Sequence, residues 1–172
     1  MANTYTLIAS NTVGSGGTGS ITFSSIPSTY TDLLIRISAR MSTNVGANWY
    51  DLGLTFNGSS SGYSGRWVLG NGSTASSSTD GTSAYIIIRP PSNTATASTF
   101  GNADVYIPNY AGSNYKSVSV DNVSETNATS AIAIMTASLW SNTSAITSIT
   151  LTPATGTIVE YSTAYLYGIK NS

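Results

Sequence analysis

The stretch that decides the fold is Ile26-Pro27-Ser28-Thr29-Tyr30-Thr31-Asp32, followed by Leu33-Leu34-Ile35-Arg36-Ile37-Ser38-Ala39-Arg40. Its first half has the composition of a turn, because proline fixes the backbone angle φ and short polar side chains satisfy bent backbone. Its second half alternates with a period of two residues, which is typical of a β-strand with one face in a core. The predicted core face is Leu33, Ile35, Ile37 and Ala39, and the other face is Leu34, Arg36, Ser38 and Arg40.

Short segments with strand character recur along the chain, separated by turn signals such as Asn57-Gly58 and Pro90-Pro91. A helix is an alternative for 131–140, but its Ile and Thr content favours a strand. The polar segment 73–83 is predicted to be an exposed, mobile loop. The further strand segments are residues 5–9, 21–23, 51–57, 66–69, 84–89, 103–107, 115–121, 131–140, 146–151 and 158–169. We therefore predict an all-β fold: a single-domain antiparallel β-sandwich, jelly-roll-like in topology.

The N-terminal region is set apart by a glycine-rich connection at 13–20. We divide the chain into residues 1–20, a strand or arm with this connection, and residues 21–172, the β-sandwich domain. Two interpretations of the connection remain open at this stage. It is either a long hairpin loop or a hinge that lets residues 1–13 reach a neighbouring molecule as a short arm.

The composition excludes several classes of function. Charged residues make up only 8% of the chain, against about 25% in an ordinary domain, so no basic patch for nucleic acid is expected. The chain contains neither Cys nor His, which rules out disulfides, thiolate or imidazole metal sites and histidine-dependent catalysis. We find no signal-peptide pattern and no apolar run of membrane-spanning length, so no membrane association is predicted.

The seven carboxylates are the only acid and base groups that could support catalysis, for example on a polysaccharide. Most lie at predicted strand ends or turns, where capping of the backbone explains them, so we predict no catalytic site and no enzyme activity. Asp80 and Asp121 are candidates for holding Ca²⁺, but the chain has no dense acidic loop of the kind that binds this ion. We predict neither a metal nor a cofactor.

Sheet edges give an argument for assembly. An all-β protein must protect its edge strands, usually with Lys, Pro or inward-pointing charges. Lysine is nearly absent, since the chain has only Lys116 and Lys170. We therefore expect other subunits to cover the edges.

A set of turn-and-strand motifs also suggests a family. The motifs are Ile26-Pro27-Ser28-Thr29-Tyr30-Thr31-Asp32-Leu33, Phe56-Asn57-Gly58, the run from Phe100 to Tyr110, Leu139-Trp140-Ser141-Asn142-Thr143, Thr150-Leu151-Thr152-Pro153 and Tyr165-Leu166-Tyr167-Gly168-Ile169. Together they resemble small virion proteins of tailed bacteriophages, over nearly the whole chain after the glycine-rich connection. The motifs carry no catalytic signature. The resemblance implies a virion component, such as a head decoration (cement) protein or a fibre tip.

The first functional hypothesis is a decoration protein on the outer surface of the phage head. It would form a homotrimer and bridge subunits of the major capsid protein, because a trimer matches the three-fold junctions of a capsid. The arm would contact a neighbour, tyrosines near the C-terminus would form a subunit contact, and two arginines would pair with acidic capsid groups. The candidate contact residues are Tyr5, Leu7, Ile8, Arg36, Arg40, Tyr161, Tyr165 and Tyr167.

The alternative hypothesis is a tail-fibre or tail-tip domain that binds host-surface glycans. Aromatic rings beside Asn and Asp suit sugar binding, because a ring offers an apolar face and tyrosine or tryptophan a polar tip. The candidate glycan residues are Trp49, Tyr50, Tyr63 and Trp67. Packing in the core or at a sheet edge explains the same aromatic residues.

Overall fold

The computed structural model describes residues 4–43, 46–127 and 131–170, and it confirms the all-β prediction. These described ranges contain twelve strands: β1 (Tyr5–Thr12), β2 (Ile21–Phe23), β3 (Asp32–Ala39), β4 (Leu52–Phe56), β5 (Tyr63–Gly70), β6 (Ala75–Ser83), β7 (Ile86–Ile88), β8 (Gly101–Ile107), β9 (Lys116–Ser124), β10 (Ile132–Trp140), β11 (Ile149–Pro153) and β12 (Thr163–Ile169). Segment 131–140 is a strand, as its Ile and Thr content indicated. Within the described ranges, no helix is long and apolar enough to span a membrane.

The strands form two antiparallel sheets of unequal size, which pack as a β-sandwich. The larger sheet has eight strands in the order β1-β12-β3-β8-β9-β10-β5-β6, and the smaller has four in the order β2-β11-β4-β7. The jelly-roll part of the prediction is not confirmed, because a jelly roll consists of eight strands in two Greek keys. Because the sandwich has only two layers, the face of the larger sheet that points away from the smaller sheet has no second layer over it.

Strand β3 is formed by the second half of the stretch 26–40. It lies inside the larger sheet between β12 and β8 and pairs with both along its length. Its predicted core face is confirmed, since Leu33, Ile35, Ile37 and Ala39 are all buried in the core. Arg36 lies on the opposite face and is exposed. The period of two therefore predicted both the strand and its orientation.

The smaller sheet contributes the other half of the core. Leu52, Leu54 and Phe56 of β4 are fully buried against the larger sheet, as their alternation predicted. The apolar segment 84–89 is predicted to be a central or covered strand, and it is not central. Only Ile86–Ile88 forms strand β7, at an edge of the smaller sheet.

The turn before β3 joins several parts of the fold. The Tyr110 hydroxyl donates a hydrogen bond to the Pro27 carbonyl. The buried carboxylate of Asp32 accepts one from the Tyr106 hydroxyl at 2.8 Å and one from the Asn109 N–H at 2.9 Å. The carboxylate therefore connects the start of β3 to the end of β8. From the sequence, the polar side chains of this stretch were expected only to satisfy the backbone of the turn itself.

Segment 73–83 is not the loop that its composition predicted. Ala75–Ser83 forms the nine-residue strand β6, which pairs with β5 from Gly70↔Ala75 to Tyr63↔Ser83. Serine and threonine give this segment no apolar alternation, so its strand structure comes from backbone pairing with β5 across the turn at Asn71-Gly72. Sequence periodicity cannot detect a strand of this kind.

The N-terminal segment is part of the fold. Strand β1 pairs with β12 from Tyr5↔Ile169 to Thr12↔Thr163. Because β1 and β2 belong to different sheets, the glycine-rich connection is not a hairpin. It is fastened by paired backbone hydrogen bonds between Thr18 and Ile158.

The structure also protects its sheet edges without lysine. Strands β1 and β6 each lie at an edge with a bulge in the pairing, and β6 points Asp80 inward at its bulge. Strands β2 and β7 are only three residues long, and Pro90-Pro91 follows β7. Bulges, inward charges, short strands and prolines all discourage edge-to-edge pairing. Coverage of the edges by other subunits is therefore not required.

Gly168 provides a test of the packing around the turn before β3. A Cβ at this position would overlap the ring of Tyr30, which packs against the core. We expect Gly168→Ala to lower the free energy of unfolding by about 1–3 kcal/mol, the usual cost of overpacking. The matched control is Gly70→Ala, since nothing lies within 4 Å of a Cβ there.

Urea unfolding of both variants measures this difference. Equal midpoints for Gly168→Ala and Gly70→Ala would contradict the described contact between Tyr30 and Gly168.

Candidate functional site

We call the face of the larger sheet that points away from the smaller sheet the outer face. The described residues include eight exposed large apolar side chains, and six of them lie on this face. The six are Tyr5, Leu7, Val68, Tyr106, Val123 and Met135. This concentration of exposed apolar side chains makes the outer face the candidate interaction surface.

One end of the outer face brings together four of the predicted contact residues. Cross-strand pairing sets Leu7 opposite Tyr167 and Tyr167 opposite Leu34. On the same face, Tyr5 lies two residues from Leu7 along β1, and Tyr165 lies two residues from Tyr167 along β12. We call these five residues the tyrosine surface. A shallow depression touches Tyr5, Leu34 and Tyr167, so these side chains border a common space.

The other predicted contact residues lie elsewhere. Ile8 packs against the core of its own chain, because the bulge between Leu7 and Ala9 turns it inward. Tyr161 was expected to continue the stripe of Tyr165 and Tyr167 on one strand, and this prediction is wrong. Tyr161 precedes β12, in a turn with φ of 69°.

The two arginines are engaged within the chain. Arg36 on the outer face forms an exposed ion pair with Asp104 on the neighbouring strand, with 3.4 Å between Nε and Oδ2. Arg40 donates to backbone carbonyls in the loop 93–99, including those of Thr96 at 2.8 Å and Ala95 at 2.9 Å. Burial lowers the pKa of the Arg40 guanidinium from its ordinary value. Arg40 therefore fastens this loop to the end of β3.

The four aromatic residues proposed for glycan binding do not form one exposed cluster. Tyr63 is 1% exposed and its ring stacks on Trp140, with 6.1 Å between centroids. Its hydroxyl accepts a hydrogen bond from the Phe56 N–H at 2.7 Å, and burial raises the pKa of Tyr63. Trp49 is half-buried in a bridge with Pro91. Tyr63 is therefore a core residue and is not available to a ligand.

Trp67 belongs to a network of charged and aromatic groups that links the two sheets. Its indole N–H donates to Asp80 at 3.0 Å, and the Arg89 guanidinium lies 5.0 Å from the centre of its ring. Arg89 in turn pairs with Asp51 at 3.2 Å. These contacts connect β5 and β6 with the region around β7. They give Trp67 a structural role.

The outer face is concave. A single cavity of about 880 Å³ touches residues of both edge strands, from Tyr5 on β1 to Thr79 on β6. A flat sheet would separate these edges by about 34 Å, since neighbouring strands lie about 4.8 Å apart. The cavity therefore extends across the whole width of the outer face, from one edge strand to the other.

Near the middle of this concave face, Asp104 and Asp121 lie directly opposite each other on β8 and β9. Asp80 points to the other side of the sheet, toward Trp67. The two carboxylates considered for Ca²⁺, Asp80 and Asp121, therefore do not converge. Among the described residues, no group of three or more metal-binding side chains is present.

Comparison with known proteins adds no relative. No protein-family model, no curated protein and no solved structure matches this chain.

Sequence reasoning missed part of the outer face. Val68, Met135 and Arg66 lie on strands that are distant in sequence but share this face through β5–β10 pairing. The alternation within segment 131–140 separates Met135 from the core residues. The register that brings it beside Val68 depends on how the strands pair, and local sequence does not encode that.

Tyr63 allows a direct test of the core assignment. We expect Tyr63→Phe to lower the free energy of unfolding by about 1–3 kcal/mol, because the buried Phe56 N–H loses its acceptor. Tyr165→Phe is the control, since the Tyr165 hydroxyl forms no hydrogen bond within the described residues. It should change stability by less than about 0.5 kcal/mol.

Both variants are measured by denaturant unfolding at neutral pH. A Tyr63→Phe variant as stable as Tyr165→Phe would refute the role of the Tyr63 hydroxyl.

Proposed function

We propose that this protein is a structural protein of a phage virion, a head decoration or cement protein. It would form a homotrimer on the outer surface of the head and bridge subunits of the major capsid protein. The motifs that resemble small virion proteins of tailed bacteriophages motivate this assignment. The tyrosine surface is the observation that carries it.

The tyrosine surface has the composition of a protein–protein contact. Aromatic residues are enriched in the cores of such interfaces, whereas lysine is depleted. Tyr5 and Leu7 are exposed on β1, beside the half-buried Tyr165 and Tyr167 on β12. Burial of this surface by a neighbour would remove apolar area from water, which is the main favourable contribution to association.

The position of β1 in the sheet makes the contact rigid. Its backbone is held by β12, so Tyr5 and Leu7 lose little freedom when a partner binds. The contact is thus a sheet face that includes β1, and the flexible-arm version of the hypothesis is not needed.

Leu7→Asp tests the tyrosine surface. We expect this change to weaken both trimer formation and attachment to capsids by at least about tenfold, because it puts a charge into an apolar contact. Val68→Asp is the matched control, since Val68 is similarly exposed on the outer face but lies on β5, far from β1.

Sedimentation velocity measures the trimer, and co-sedimentation with capsids that lack the protein measures attachment. A wild-type chain that stays monomeric and does not bind capsids would overturn the proposal. So would a Leu7→Asp variant that assembles as well as Val68→Asp.

The glycan-binding alternative loses support at the residues first suggested for it, because Tyr63 is buried and Trp67 is engaged with Asp80 and Arg89. A different part of the molecule is the basis on which sugar binding is proposed below as a separate activity.

A further inference from the structure

We propose that the concave outer face contains a binding site for an uncharged oligosaccharide, in a trough that crosses β8, β9, β10 and β5. The trough lies beside the tyrosine surface, which is on β1, β12 and β3. The same cavity also touches Tyr5 and Leu34 of that surface, but neither residue belongs to the trough. The inference goes beyond the structural role proposed above and does not depend on it.

Side-chain size creates the trough. Cross-strand pairing aligns Tyr106, Ser119, Ala137 and Arg66 in one row across four adjacent strands. The two side chains at the ends of this row, Tyr106 and Arg66, are large, and the two between them are small. The row therefore has a low floor between two walls, and the walls lie about 14 Å apart at about 4.8 Å per strand. This width suits a short oligosaccharide lying across the strands.

The neighbouring row forms one side of the trough. It places Asp121 opposite Met135, which is 64% exposed. All six of these side chains line the cavity of about 880 Å³. The trough thus combines an aromatic wall, an apolar contact, a hydroxyl, a carboxylate and a guanidinium.

The charged groups of the trough are available to a ligand. Within the described residues, Asp121 has no hydrogen bond and no ion pair. Arg66 uses one guanidinium nitrogen on the Gly65 carbonyl at 3.2 Å, which leaves most of its donors unused. Asp121 also lies opposite Asp104, although like charges directly opposite each other destabilise a sheet. Residues that violate such a local rule are concentrated at functional sites.

The chemistry of these groups matches a neutral sugar. Sugar hydroxyls donate to a carboxylate and accept from a guanidinium, so one ligand can satisfy Asp121 and Arg66 together. The C–H face of a sugar ring is apolar and can pack on Tyr106 and Met135. The negative charge of the Asp121 carboxylate and the positive charge of the Arg66 guanidinium cancel in the trough. The net charge therefore favours neither an anionic nor a cationic ligand.

Tyr106 is held in position for this contact. Its hydroxyl donates to the buried carboxylate of Asp32 at 2.8 Å, which fixes the ring at the side of the trough. A ring that is already ordered loses little conformational entropy on binding.

The test uses the full chain on an array of uncharged oligosaccharides built from hexoses, deoxyhexoses and N-acetylhexosamines, with acidic glycans included for comparison. The strongest uncharged probe is then titrated by calorimetry. Ala137→Phe should abolish measurable binding, because it fills the floor. Asp121→Asn should weaken binding by about tenfold, the loss expected for a hydrogen bond to a charged group.

Ala133→Phe is the matched control. Ala133 is exposed on the same strand and face, but it pairs with Val123 and Gly70, away from the floor. Thermal unfolding of each variant verifies that it folds. Retained sugar binding in Ala133→Phe together with loss in Ala137→Phe supports the site.

Three results would overturn the inference. They are an array on which no uncharged glycan is retained, binding restricted to acidic glycans, and equal binding by Ala137→Phe and Ala133→Phe. Failure of assembly in the Leu7→Asp experiment is a separate outcome, because Leu7 does not line the trough.

Discussion

The fold depends on the burial of alternate side chains along β3. Leu33, Ile35 and Ile37 enter the core at every second position, and both neighbouring strands must adopt the register that continues this pattern. A slip of one residue would expose the whole apolar set and bury Arg36. The buried Asp32 carboxylate at the start of the strand reinforces the arrangement, since its bonds to Tyr106 and Asn109 attach β3 to the end of β8.

The two-layer architecture leaves one face of the larger sheet uncovered, and both proposed contacts lie on that face. The four-stranded sheet covers the core side of the eight-stranded sheet. The opposite side holds the long cavity and six of the eight exposed large apolar side chains of the described residues. Sheet edges, by contrast, are protected by bulges, short strands and prolines. Contacts with other molecules are therefore expected on a face, where side chains give specificity, and not by extension of a sheet.

The fold class, strand β3 and the core face of β4 could be predicted from the sequence, because apolar alternation is a local property of those strands. Sequence reasoning failed for β6, whose serines and threonines carry no alternation, and for Tyr161, because nothing local indicated that the last strand begins at Thr163. The tyrosine surface was partly predictable, since Tyr165 and Tyr167 share a face at a spacing of two. The trough was not, because Ala137 and Arg66 become neighbours only through the register of β10 and β5.

On the proposed assignment to a virion, tyrosine nitration of intact virions, mapped by mass spectrometry, tests assembly through the tyrosine surface most directly. Tyr5 and Tyr115 are 56% and 54% exposed in the isolated chain, so accessibility alone predicts equal reaction of the two. If the tyrosine surface is the assembly contact, Tyr5 should be protected in the virion while Tyr115 reacts. Reaction of Tyr5 as fast as Tyr115 would contradict assembly through the tyrosine surface.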